Sequence, residues 1–152
     1  MRLTAKSEYG LLAMIDIAGS CHDGPVSARG ISERQVIPAK FLEQLLVSLR
    51  RAGLVSAVRG ARGGFTLTRD PSAISVLDVV EALEGPLVST VCESERGATC
   101  GRSGACAAAR VWNRATGALR AVFAEATLAE LLADQDRIDA RPTDVVLEDS
   151  NG

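Results

Sequence analysis

The strongest constraint on the fold comes from residues 52–69. A helical pattern stops at Ala52-Gly53, and two short runs rich in Val, Thr and Phe (54–59 and 65–69) follow, joined by Gly60-Ala61-Arg62-Gly63-Gly64. Alternating apolar residues around a glycine-rich link read as a β-hairpin. What precedes it is helical. Leu11, Leu12, Ile15 and Ala18 recur at helical spacing over residues 4–20, with Thr4 available as a cap. Residues 21–25 break the chain, and Ser27 can cap a short second helix running to Gln35, weakened by Gly30 inside it. Pro38 suits a first helical turn, and Phe41, Leu42, Leu45, Leu46 and Leu49 form the buried stripe of a third helix. Gly53 can take the left-handed conformation that ends it. Three helices and a hairpin in this order are the parts of a winged helix-turn-helix, although small α+β domains of other function share the order. The expected fold is mainly α with a β-hairpin wing, and residues 1–88 make up the winged-helix domain.

Beyond the hairpin, Asp70-Pro71 ends the strand, and Ser75 opens an amphipathic helix through Val76, Leu77, Val79, Val80 and Leu83 that Gly85-Pro86 stops. Residues 89–106 are poor in large apolar side chains and rich in Gly, Ser and Cys. A long helix is expected over 107–133, where one heptad frame places Trp112, Ala115, Leu119, Val122, Ala126, Ala129 and Ala133 at successive a and d positions. Phe123, Leu128, Leu131 and Leu132 form a second stripe, so this helix can serve both a partner helix and its own domain. Residues 134–152 are polar and acidic and read as a disordered tail.

At 152 residues the chain suits one domain with an appendage. It has no apolar run long enough for a membrane span and no signal-peptide pattern, which gives a cytoplasmic expectation without a membrane partner. The net charge of −2 conceals an asymmetry: residues 1–69 carry ten Lys/Arg against five Asp/Glu, and residues 70–152 carry seven against fourteen. Residues 50–69 hold Arg50, Arg51, Arg59, Arg62 and Arg69 with no acid, a local footprint suited to phosphates. On the third helix Lys40, Glu43, Gln44 and Arg50 lie off the buried stripe, as on any solvated face. The arginine-bearing hairpin changes that balance. A helix in the major groove leaves the hairpin tip beside a minor groove, whose negative potential favours arginine. Glu43 can accept from a cytosine amino group and Gln44 can pair with adenine.

Cys92, Cys100 and Cys106 form C-x7-C-x5-C, with Cys21 far upstream. Disulfides are disfavoured in a reducing compartment, and thiolates clustered in a glycine-rich loop suggest metal. Structural zinc usually uses a tight C-x2-4-C pair, which is missing here, whereas an iron–sulfur cluster tolerates wider spacing. Redox thiols and incidental cysteines remain the competing readings. A carboxylate, an exogenous ligand or a residue of a partner chain could fill a fourth corner.

Residues 31–87, ISERQVIPAKFLEQLLVSLRRAGLVSAVRGARGGFTLTRDPSAISVLDVVEALEGPL, together with the opening MRLTAKSEYGLLAM and the three cysteines before a long helix, resemble the Rrf-two family of winged-helix transcription regulators over about residues 1–133. Members sense cluster supply, nitric oxide or iron, and others lack the cysteines or sense thiols. The resemblance implies a homodimer crossed through its long helices, with Trp112, Ala115, Leu119, Val122 and Ala126 at the seam, bound to a palindromic double-stranded DNA operator. It places Pro38, Ala39, Lys40, Phe41, Glu43 and Gln44 at the start of the recognition helix and Arg59 and Arg62 on the wing. It assigns Cys92, Cys100 and Cys106 to an iron–sulfur cluster, 2Fe-2S or 4Fe-4S. Glu8 falls where nitric-oxide sensors carry a carboxylate that reaches the partner's cluster; it is equally a first-turn acid favoured by the helix dipole. No histidine follows Cys106, where members sensing cluster supply place a ligand, and the seven-residue gap between the first two cysteines looks more like the iron-responsive type. The expected function is a non-enzymatic regulator, a repressor whose operator affinity is set by the cluster. The alternative is a cluster-carrying redox or protein-interaction module without specific DNA binding.

Overall fold

A computed structural model describes residues 4–20, 22–87 and 106–140. Among these, six α-helices and one antiparallel hairpin follow in the order α1 (Ala5–Gly19), α2 (Ala28–Gln35), α3 (Ala39–Arg51), β1 (Val55–Val58), β2 (Gly64–Leu67), α4 (Val76–Glu84), α5 (Ala107–Glu125) and α6 (Leu128–Asp139), with a single 3-10 turn at Pro71–Ala73. The expected caps are present: the Thr4 hydroxyl accepts from the Lys6 N–H, the Ser27 hydroxyl from Gly30, and Ser75 forms a reciprocal capping box with Asp78. Gly53 takes φ 74° just past the end of α3. Pro38 is the residue before the helix rather than its first turn.

The core lies where α1, α2 and α3 meet the base of the hairpin. Met14, Ile17, Ile31, Ile37, Leu42, Leu46, Leu49, Leu54, Val55, Ile74 and Val79 are all buried there. The leucine stripe of α3 is thus its inner face, as the spacing predicts. The wing pairs Val55 with Leu67 through Val58 with Gly64. It gains a third, single-residue rung at Val26, whose N–H and carbonyl exchange hydrogen bonds with Phe65 at 2.9 and 2.8 Å. A Cβ at position 64 would collide with the Val26 carbonyl, so this rung requires glycine there.

The single long helix expected over 107–133 is two helices. Ala126 leaves α5 in an extended conformation, and Thr127 caps α6 in a capping box with Glu130. The backbone around the break pairs with the segment before α4: Val76 donates to the Ala126 carbonyl at 2.8 Å and Leu128 donates to Ile74 at 2.9 Å. Leu128 is fully buried in the winged-helix core, so α6 packs back onto the first domain. The helix runs on to Asp139, and residues 134–139 therefore belong to α6 rather than to a disordered tail. Residues 141–152 lie outside the described residues.

Candidate nucleic-acid interface and cysteine segment

Burying Leu42, Leu45, Leu46 and Leu49 leaves the opposite side of α3 free. Lys40, Glu43, Gln44 and Val47, at i, i+3, i+4 and i+7, line one open depression on that side. Pro38 and Ala39 are exposed at the helix entrance, and Arg50 is exposed one turn beyond Val47. Phe41 is different. It is half-buried against the core, with its ring edge-on to Tyr9 of α1 at 5.8 Å and 79°, so it holds the start of α3 rather than presenting itself outward. Arg59 and Arg62 are exposed around the Gly60 turn, where φ is 121°. Val47 and Ala28 were not singled out from sequence. Apolar residues on a face read as polar carry no signal until the neighbouring elements are in place.

Two anchors hold α2 and its turn in position. The Arg34 guanidinium makes a two-point contact with the Asp16 carboxylate of α1, at 2.9 and 2.7 Å, and Gln35 donates to the same group. Burial alone would raise the Asp16 carboxyl, but the hydrogen bonds from Arg34 and Gln35 and the charge of Arg34 outweigh it and hold it below its ordinary value. The Ser32 hydroxyl donates to the Ile37 carbonyl at 2.6 Å across the turn into α3. Val36 in that turn takes a left-handed φ of 52° and is 82% exposed.

Cys92 and Cys100 lie outside the described residues, as does Cys21. Cys106 is the residue that caps α5; it is partly exposed and its side chain accepts no capping hydrogen bond. Glu8 is exposed on the first turn of α1. Among the described residues no group of three His, Cys, Asp or Glu side chains comes together as a metal cage. The described chain just before the cysteine segment is tied to the rest of the domain. Glu84, in the last turn of α4, accepts from the Thr4 N–H and hydroxyl and from the Ser7 hydroxyl, which fastens the start of α1 beside the exit from α4. Burial would raise the Glu84 carboxyl, and these hydrogen bonds more than reverse that, leaving it below its ordinary value. One oxygen of Glu81 accepts both the Leu87 N–H, at 3.2 Å, and the Arg120 guanidinium of α5.

On α5 the heptad frame divides. Leu119 and Ala126 are partly buried and pack with Phe123 against Val76, Val80 and Leu87 of their own chain. Trp112, Ala115 and Val122 are exposed. Together with Val111 and Ala118 they form an apolar strip in which Val111, Trp112 and Val122 are 62%, 58% and 60% accessible.

A helix-turn-helix with one polar face outward and an arginine-tipped hairpin beside it defines a winged-helix transcription regulator. The comparisons with known proteins agree. Residues 3–134 match the Rrf2 family, described as iron-dependent transcriptional regulator. The chain is 40% identical over 139 residues to the HTH-type transcriptional regulator IscR of Yersinia pseudotuberculosis, covering 91% of this chain and 84% of that one. Among solved structures, T. potens IscR superposes with a TM-score of 0.75 at 33% identity, covering 93% of each chain. CymR, the global cysteine regulator of B. subtilis, does so with 0.74 at 32%, covering 88% of this chain and 98% of that one. The chain belongs to the Rrf2 family and is a DNA-binding transcriptional regulator of that family. No described helix is long and apolar enough to cross a membrane.

Proposed function

We propose that two copies of this chain form a cytoplasmic repressor that binds a palindromic double-stranded DNA operator, with an affinity set by an iron–sulfur cluster. The observation that carries the DNA half is the single exposed surface of α3, with Lys40, Glu43 and Gln44 outward, every leucine of the helix inward, and Arg59 and Arg62 on the neighbouring wing. In the major groove, Glu43 and Gln44 meet base edges while the arginines reach the flanking minor groove.

Cys92, Cys100 and Cys106 would hold the cluster, with Glu8 of the second protomer as the candidate fourth donor. The donor chemistry fits: three soft cysteine sulfurs suit iron and sulfide, and Cys106 stands at the start of α5. When bound, such a cluster supplies a group sensitive to redox state and to small ligands. The chain's own residues can convey its state. Glu81 ties the backbone just before the cysteine segment to Arg120, and Cys106 begins the same helix, so any rearrangement of the segment bears on α5 from both sides. The relatives are named as regulators, and no catalytic role is assigned to this chain.

The test is to purify the full chain anaerobically, measure iron and sulfide, and compare operator affinity for the loaded, nitric-oxide-treated and iron-stripped forms. The affinities are expected to differ by about 5- to 150-fold, the usual range of allosteric coupling. Cys92→Ser, Cys100→Ser and Cys106→Ser should lose iron while Cys21→Ser keeps it. Equal affinities in the three states would remove the sensing role, and a loaded protein that selects no DNA would favour the redox or protein-interaction reading.

A further inference from the structure

The polar face of α3 is interrupted by one aliphatic residue. Val47 is 40% exposed, and it borders two neighbouring depressions. The first is the open face it shares with Lys40, Glu43 and Gln44. The second is a notch of about 160 Å³ between α2, α3 and the wing, formed by Ala28, Leu46, Val47 and Phe65 with Glu43 and Arg50 beside them. Its wall is therefore aliphatic and aromatic, and its charged groups are one acid and one base.

We infer that this notch is a subsite for the C5 methyl group of a thymine, and that Val47 sets the base preference at one operator position. The inference rests on the DNA-binding reading above. The physical case is that an exposed valine on a groove-facing helix gains nothing from water or phosphate. The thymine methyl is the one apolar group that an unmodified base pair presents in the major groove. The placement supports this occupant. Val47 follows Gln44 by three residues and Lys40 by seven on the same side of the helix, so a base edge beyond those read by Glu43 and Gln44 faces it. Arg50 borders the notch and Lys40 lines the adjoining open face, so positive charge flanks the surface that a duplex would close over. At about 160 Å³ the notch has room for a methyl group. A 5-methylcytosine carries the same methyl; thymine is the assignment, because Glu43 beside the notch is the residue suited to a cytosine amino group and already accounts for that base.

The experiment uses the full chain, anaerobically purified, to select sites from a randomised duplex pool. The recovered site is then scanned one position at a time, with deoxyuridine replacing thymine and 5-methylcytosine replacing cytosine. One thymine in each half-site should show a loss of about three- to tenfold on removal of its methyl, the worth of one buried methyl group. Val47→Ser should bind the thymine and deoxyuridine sites alike, while Val58→Ser, an exposed change on the wing, keeps the discrimination. Thermal melts of the variants should match the wild type, since both side chains are exposed. If no thymine is sensitive, or if Val47→Ser retains the full penalty, the subsite is wrong although DNA binding stands. A methyl effect confined to 5-methylcytosine overturns the thymine assignment. Failure to select any sequence removes the DNA-binding reading and this inference with it.

Discussion

Val36 pairs two properties that rarely coincide. It is β-branched, and it sits at φ 52° in the turn between α2 and α3, a region that disfavours any side chain and a branched one most. With the side chain 82% exposed, no packing offsets the strain. The helix-turn-helix needs a left-handed residue here to redirect the chain after α2, and the buried Ile37 and the Ser32 to Ile37 hydrogen bond hold it in place. Val36→Gly should therefore stabilise the protein by about 0.5–1 kcal/mol, the strain relieved less the extra entropy of an unfolded glycine. A denaturant melt with an unchanged slope checks this, and a lower midpoint would contradict it. Asp16 makes the opposite case of a residue whose surroundings suit it. Its side chain is only 6% exposed, and its carboxyl is held below the ordinary value of 3.8. A depressed carboxylate contributes stability that is complete above the unfolded value and is lost as pH falls through the folded one. Asp16→Asn should cost about 1–2 kcal/mol at neutral pH, because half-exposed Arg34 recovers part of the loss in water. The variant should also lose part of the steepening of acid unfolding below about pH 4 that the wild type shows. Parallel melts from pH 7 to pH 2 distinguish the two, and identical pH slopes would mean that the ion pair contributes nothing.

At the level of elements, the winged helix was legible because its signals are local. Thr4, Ser27 and Ser75 cap the helices they were expected to cap, the leucines of α3 are buried, and Gly53 turns the chain into β1. Where the reading failed, long-range pairing outweighed a local pattern. The apolar heptad ran unbroken through Ala126, but the backbone there is drawn out of the helix by pairing with Ile74 and Val76. The competing signal, Thr127 followed three residues later by Glu130, was present in the sequence and is a capping box. The Val26 rung beside the wing could not be read at all, because a single-residue bridge has no periodicity. Of the candidate site, the outward face of α3 follows from amphipathicity, and the wing arginines from an acid-free basic run across a glycine-rich link. The notch around Val47 does not, since α2, α3 and β2 each contribute part of it. Thr127→Ala tests the break. It should lower stability by about 1 kcal/mol, the usual worth of a cap, if Thr127 starts α6. A neutral or stabilising effect would mean that one continuous helix through 107–133 is the preferred state.

For the whole molecule, the question is what covers the strip of Val111, Trp112, Ala115, Ala118 and Val122 on α5. The inner side of the same helix is already occupied by α4 through Leu119 and Phe123, so the outer strip is surplus to the monomer's own core. An apolar strip with 4-3-4 spacing matches a second copy of itself, and a two-fold pairing of this kind would carry two winged helices to half-sites about one helical turn apart. The charge distribution fits that arrangement: the first 69 residues, which hold α3 and the wing, carry the excess of base, and the remainder carries the excess of acid. Two substitutions on one helix then separate association from folding. Val122→Glu places a charge on the outer strip. It should give a monomer that melts like the wild type, with operator affinity reduced by about a hundredfold or more as the bivalent gain is lost. Leu119→Glu buries a charge against Val76 and Val80. It should instead cost several kcal/mol of stability before any question of dimerisation arises. Sedimentation velocity at micromolar concentration, thermal melts and operator binding measured on both variants decide the matter. A Val122→Glu protein that keeps the wild-type mass would show that the strip is not a seam, and a monomeric wild-type protein would remove the two-fold pairing itself.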